Sequence, residues 1–126
     1  MKQAVDNELV ASAHGIYRGG LAVHLAMVAM GGNLGLQVDL ARVPADRVER
    51  DDQLLFSESA GRFIVTVNPV HRKAFEAIFE GTACANVGTV TEQPELIVQG
   101  LEQSTLLAVP VEDLKAAWKK TFGDLI

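Results

Sequence analysis

The chain has 126 residues, 48% of them hydrophobic and 21% charged, and 16 acidic side chains outweigh 11 basic ones to leave a net charge of −5. That length suits one domain with a real core, and the balance is that of a globular protein rather than a disordered or fibrous one. An acidic chain without a basic cluster lacks the phosphate-neutralising footprint of a nucleic-acid binder, so no nucleic-acid partner is expected. The single cysteine, Cys84, has no second thiol for a disulfide or metal pair, which points to a reducing, cytoplasmic setting, and as an isolated small apolar residue it is expected in the core. No apolar run reaches the roughly 18 residues of a membrane span, and the longest, 21–30, contains His24 and stops at Gly31 and Gly32. Met1 leads almost at once into a helical pattern, and the chain is expected to begin inside a longer polypeptide.

In chain order, residues 4–10 read as a short helix or helix end, and residues 11–16 as a strand running into a glycine break. Gly19 and Gly20 open a helix whose residues 21–30 are apolar nearly all round, so it must be covered on at least two sides, with another domain a candidate for part of that cover. Gly31, Gly32 and Asn33 end it, and residues 34–40 alternate as a strand with Leu34, Leu36, Val38 and Leu40 on one face. After the polar connection 44–50, Asp51 or Asp52 is placed to cap a short helix bearing Leu54, Leu55 and Phe56 and closed near Gly61. Residues 62–67 form the next strand. Asn68 and Pro69 then start a helix with Ala74, Phe75, Ile78 and Phe79 as its buried stripe. Residues 86–90, 96–100 and 105–109 read as three strands of an antiparallel meander, and Pro110 opens a last helix with Val111, Leu114, Ala117 and Trp118 on one side. Early strands interrupted by helices, followed by a meander, predict an α+β layered domain rather than a regular parallel α/β repeat.

A strand that turns through glycines into a helix leaves backbone N–H groups pointing out of the helix N-terminus, where the macrodipole favours an anion. Arg18 sits at that positive end, where a bound anion or a nearby carboxylate would explain its placement; in the plainer reading the glycines serve tight packing and Arg18 is solvated. His14 has the chemistry of a phosphate donor, of an acid or base, or of a satisfied strand-end histidine. His24 shares a face with Leu21, Leu25 and Val28 and is expected to be packed at an interface, and His71 to be exposed in a first helical turn; neither is assigned chemistry. Glu58, between Ser57 and Ser59, offers hard oxygens suited to magnesium or a ribose-phosphate amine, or else pairs with Arg62 at a helix end. Asp46, Glu49, Asp51 and Asp52, near Arg47 and Arg50, read as a solvated face. No nucleophile-and-base pair, complete phosphate loop or zinc-ligand spacing is present, so no catalytic and no metal-ligating residue is assigned.

The strings from Ala13 to Val23, from Leu55 to Phe63 and from Leu114 to Trp118 resemble, in order and spacing, the C-terminal part of phosphoribosylformylglycinamidine synthase. That region reads His-Asp-x-Ser-x-Gly-Gly-Leu-Ala-Val, then Leu-Phe-Ser-Glu-Ser-x-x-Arg, then Gly-x-Val and a tryptophan-bearing helix, and here residues 86–90 take the Gly-x-Val place. The resemblance implies a layered α/β/α domain on a mixed, largely antiparallel sheet, like the C-terminal domain of aminoimidazole ribonucleotide synthetase. It implies a ligase of purine biosynthesis in which ammonia from glutamine replaces the amide oxygen of formylglycinamide ribonucleotide, with ATP and Mg2+ as cofactors of the full-length enzyme. Remaining synthase domains and a glutaminase domain or subunit would be the partners, and no turnover is expected of this chain alone. By motif position His14, Gly19, Gly20, Ser57, Glu58, Ser59 and Arg62 are the cleft candidates, and Arg18 joins them for its place at the positive end of the helix rather than by motif. Two departures stand out: Gly15 replaces the usual Asp, and Tyr17-Arg18 replace a Ser-Asp type pair. Domains of related ATP-dependent enzymes (aminoimidazole ribonucleotide synthetase, hydrogenase-maturation or thiamine-phosphate kinase type) and a non-catalytic association domain are the alternatives. The all-round apolar helix leads to the expectation that the isolated domain self-associates or exposes an apolar face.

Overall fold

The computed structural model describes residues 1–123. Its elements are α1 (Lys2–Asp6), β1 (Ser12–Gly15), α2 (Gly20–Gly32), β2 (Gly35–Asp39), α3 (Asp51–Phe56), β3 (Phe63–Thr66), α4 (Arg72–Ile78), β4 (Gly88–Thr91), β5 (Glu95–Gln99), β6 (Thr105–Pro110) and α5 (Val111–Gly123). Short 3-10 turns, Leu40–Arg42 and Pro69–His71, follow β2 and precede α4; the second starts as the sequence implies, with the Asn68 side chain accepting the Val70 N–H.

β1 and β3 make a two-stranded antiparallel sheet in which Ser12 faces Thr66 and Gly15 faces Phe63. The other strands form one sheet in the order β4-β2-β5-β6, with β2 antiparallel to β4 and parallel to β5, and β5 antiparallel to β6. The domain is therefore the expected layered α+β arrangement, with a mixed, largely antiparallel sheet. Alternation along β2 and β5 selects the covered face: Leu36, Val38, Leu96 and Val98 are buried together with Leu21, Leu25 and Ala29 of α2, Leu54 and Leu55 of α3, and Val111 of α5, while Gln37 is exposed. Each fully buried aliphatic side chain, such as Leu25 or Val98, contributes about 1.5–3 kcal/mol. The all-round apolar character of α2 is met from inside the domain, by β1, β2 and β5 on the sheet side and by α3 and α5 as neighbouring helices. Of its large apolar residues only Val23 is exposed, at 37%. No helix among the described residues is long and apolar enough to cross a membrane.

The meander is the main correction. β2 lies between β4 and β5, so only β5 and β6 form a hairpin of adjacent strands. Gly35 makes this possible, because a Cβ there would stand 1.9 Å from the Gln93 carbonyl oxygen, on the connection that carries β4 over the start of β2 into β5. Smaller corrections follow from burial. Leu34 precedes β2 and is 42% exposed, Phe56 at the end of α3 is 57% exposed, and Ala74 is exposed while Phe75 is buried. On α5 the covered side is Val111 and, partly, Leu114, whereas Ala117 and Trp118 are exposed. Cys84 is exposed as well, in the irregular stretch before β4, and not in the core. Neither Asp51 nor Asp52 caps α3, whose N-cap is Arg50; the Asp51 carboxylate instead accepts the Leu101 N–H at 2.7 Å, tying α3 to the β5–β6 turn, and Asp52 pairs with Arg50. Asp46 and Arg47 are solvated as expected.

Candidate functional site

The site is assembled where β1 hands over to α2. The buried Ile16 donates its N–H to the Arg62 carbonyl at 2.9 Å, closing the end of the two-stranded sheet. The chain then turns through Gly19 (φ 90) and Gly20 (φ 68), backbone values that L side chains rarely adopt. A Cβ on Gly20 would lie 2.7 Å from the Leu55 carbonyl oxygen and from the Phe56 carbonyl carbon, so α2 begins hard against the end of α3. The packing reading therefore holds for Gly20.

That close approach brings the loop after α3 to the turn. Gly19, the N-cap of α2, donates its N–H to Glu58 Oε1 at 2.8 Å across 39 residues of sequence. A carboxylate thus sits at the positive end of the helix, the arrangement favoured by the macrodipole. The alternative pairing of Glu58 with Arg62 does not form. The Arg62 guanidinium donates instead to the carbonyl oxygens of Ser57 and Ser59, and the two serine hydroxyls bond each other at 2.9 Å. Arg62 shapes the loop, and the loop delivers Glu58. The Arg18 side chain is exposed and has no hydrogen-bond or ion-pair partner among the described residues.

Two residues that sequence reasoning left without a role belong to the same cluster. His24 is the buried polar side chain of the core, 5% exposed. Its Nδ1 lies 2.8 Å from His14 Nε2, and its Nε2 receives the Tyr17 N–H at 2.9 Å and is 3.2 Å from the Arg18 carbonyl oxygen. The signal in the sequence is an imidazole inside an otherwise apolar helix, ten residues after a second one. Tyr17, 68% exposed, sets its ring edge-on to His24 and folds back over Gly15, where an added Cβ would meet the phenol oxygen at 2.4 Å. Gly15 and Tyr17 are therefore one physical arrangement, in which the ring takes the space of a side chain at position 15. His14 also lines a groove of about 450 Å³ with Ser12, Met27, Val28, Leu34 and Val90.

No group of three or more His, Cys, Asp or Glu side chains among the described residues is placed to hold a metal ion, and the Glu58 carboxylate accepts the Gly19 N–H through Oε1.

Fold and site together define a mixed α/β domain organised around a glycine turn that a remote Ser-Glu-Ser loop caps. Residues 1–101 match the family described as AIR synthase related protein, C-terminal domain, and the chain belongs to that family. It is 36% identical over its full length to the phosphoribosylformylglycinamidine synthase subunit PurL of Lactobacillus helveticus, and 32% identical over 92% of its length to that of Thermococcus sibiricus. It spans 16% of the length of each of these relatives. Among solved structures, Thermotoga maritima PurL complexed with FGAR superimposes with a TM-score of 0.75 at 28% identity, covering 89% of this chain and 19% of that one; the same protein complexed with ATP gives 0.77, at 28% identity and covering 89% and 20%. Escherichia coli HypE, at 17% identity and a TM-score of 0.72 over 86% of this chain and 38% of its own, shares the fold.

Proposed function

We propose that this chain is the C-terminal domain of a phosphoribosylformylglycinamidine synthase, the ATP-dependent ligase that converts formylglycinamide ribonucleotide to its amidine with glutamine-derived ammonia. Its glycine turn and Ser-Glu-Ser loop form one wall of a cleft completed by the remaining synthase domains. The observation that carries this reading is the 2.8 Å bond from Gly19 N–H to Glu58, which joins the two strings that resemble the synthase into one surface. The likeness to PurL over the whole chain, and to a PurL solved with FGAR and with ATP, supports the same reading.

When bound, ATP would supply a phosphoryl group to activate the amide oxygen for displacement. This chain contributes positioning and charge rather than a nucleophile. Arg18 offers a cation unpaired among the described residues and His14 an imidazole to an anionic substrate group, while Gly20 and Arg62 hold the wall in shape. A magnesium ion serving the reaction would be held by other domains. Those domains and a glutaminase subunit are the partners, in a cytoplasmic enzyme.

Reconstitution tests this. A PurL polypeptide truncated before its last domain and mixed with this chain should regain amidine formation from FGAR, ATP and ammonia, and Arg18→Ala should lower the regained rate. No regain despite a complex seen by light scattering overturns the proposal.

A further inference from the structure

We infer that His24 is a positioning residue that locks His14 in the tautomer with its proton on Nδ1. The argument starts from a group whose role is fixed. A backbone N–H only donates, and that of Tyr17 points at His24 Nε2 from 2.9 Å, so Nε2 presents its lone pair. A neutral imidazole carries one proton, which in His24 must then be on Nδ1. That nitrogen is 2.8 Å from His14 Nε2, which accepts it, and the His14 proton is left on Nδ1. The Arg18 carbonyl, 3.2 Å from His24 Nε2, would take a proton from that nitrogen only if the Tyr17 N–H faced a second donor. Burial holds the arrangement, since His24 is 5% exposed and its helix carries no other titratable side chain.

His14 consequently offers a fixed N–H donor at Nδ1, suited to an anionic oxygen of a phosphate or carboxylate, and its Nε2 is closed to use as a base. The use of that donor on a ligand rests on the cleft reading above; the lock does not.

Long-range proton–nitrogen NMR spectra of the imidazoles, taken on the full chain at alkaline pH, read the tautomers directly. His14 and His24 should both show the Nδ1–H pattern, and His71, whose ring has no partner among the described residues, the Nε2–H form that free imidazole favours. His24→Asn places an amide N–H near the position of Nδ1 and should keep His14 in the Nδ1–H form. His24→Gln places its amide near Nε2 and should release His14 to the Nε2–H form. An Nε2–H pattern for His14 in the unmodified chain, or the same His14 tautomer in both variants, overturns the inference. If reconstitution gives no turnover while the tautomer pattern holds, the lock stands and its use on that substrate falls.

Discussion

Gly20→Ala tests the contact that brings the two halves of the site together. The added methyl would stand 2.7 Å from the Leu55 carbonyl oxygen and the Phe56 carbonyl carbon and 2.8 Å from Phe56 Cα, all backbone atoms that yield only if α2 and α3 separate. Overpacking of this kind costs about 1–3 kcal/mol. The left-handed backbone, at φ 68, adds about 1–2 kcal/mol for any L side chain. A loss of about 2–5 kcal/mol is a large share of the roughly 5–15 kcal/mol available to a domain, and should lower Tm by roughly 8–19 °C. Gly31→Ala is the matched control: it lies in the same helix, its new methyl would have nothing within 4 Å, and its φ is not positive, so it should gain about 0.5–1 kcal/mol. Urea denaturation followed by circular dichroism measures both. Shifts of the same sign, or a Gly20→Ala loss under about 1 kcal/mol, refute the claim that α2 and α3 meet through this glycine.

Two further outcomes follow from the electrostatics. Glu58→Ala removes an exposed carboxylate from the N-terminus of α2 and should destabilise by about 0.5–1 kcal/mol at low salt, with the loss shrinking in concentrated sodium chloride; a salt-independent loss in the same urea assay would show that the charge does not act on the helix. Loss of some water around the sulfur, and then the negative charge of Glu76, push the Cys84 thiol above its ordinary range although the residue is exposed. A raised pKa means less thiolate at neutral pH, so Cys84 should react with iodoacetamide more slowly than a cysteine in an unstructured peptide, and faster in Glu76→Gln than in the unmodified chain. Equal rates in all three would remove both causes.

The sequence was most readable where chemistry is local. Glycines at 19, 20, 31 and 32 bracket α2, Asn68 and Pro69 announce the turn before α4, and alternation in 36–38 and 96–98 picks the buried face. The meeting of Gly19 with Glu58 was legible only through the resemblance, since no periodicity links residues 39 apart. The role of His24 was hidden because an apolar helix face makes burial the natural expectation for any residue on it; what burial concealed was a polar partner, His14, arriving from strand β1. The exposure of Cys84 and Trp118 was missed for the converse reason, because residue type predicts the average environment and not the particular one. Strand order was the least visible feature: turn residues at 92–94 signal a reversal, but not that a third strand occupies the gap it spans.

That interposed strand governs how the sheet can assemble. A pair of strands joined by a tight reversal ordinarily zips outward from it, as β5 and β6 are free to do. β4 and β5 have no such route, because the strand between them comes from far upstream and each must pair with it across that distance. Completion of the sheet thus waits on a long-range closure, the kind of step that slows folding, and the final third of the chain released on its own has nothing to build this half of the sheet upon.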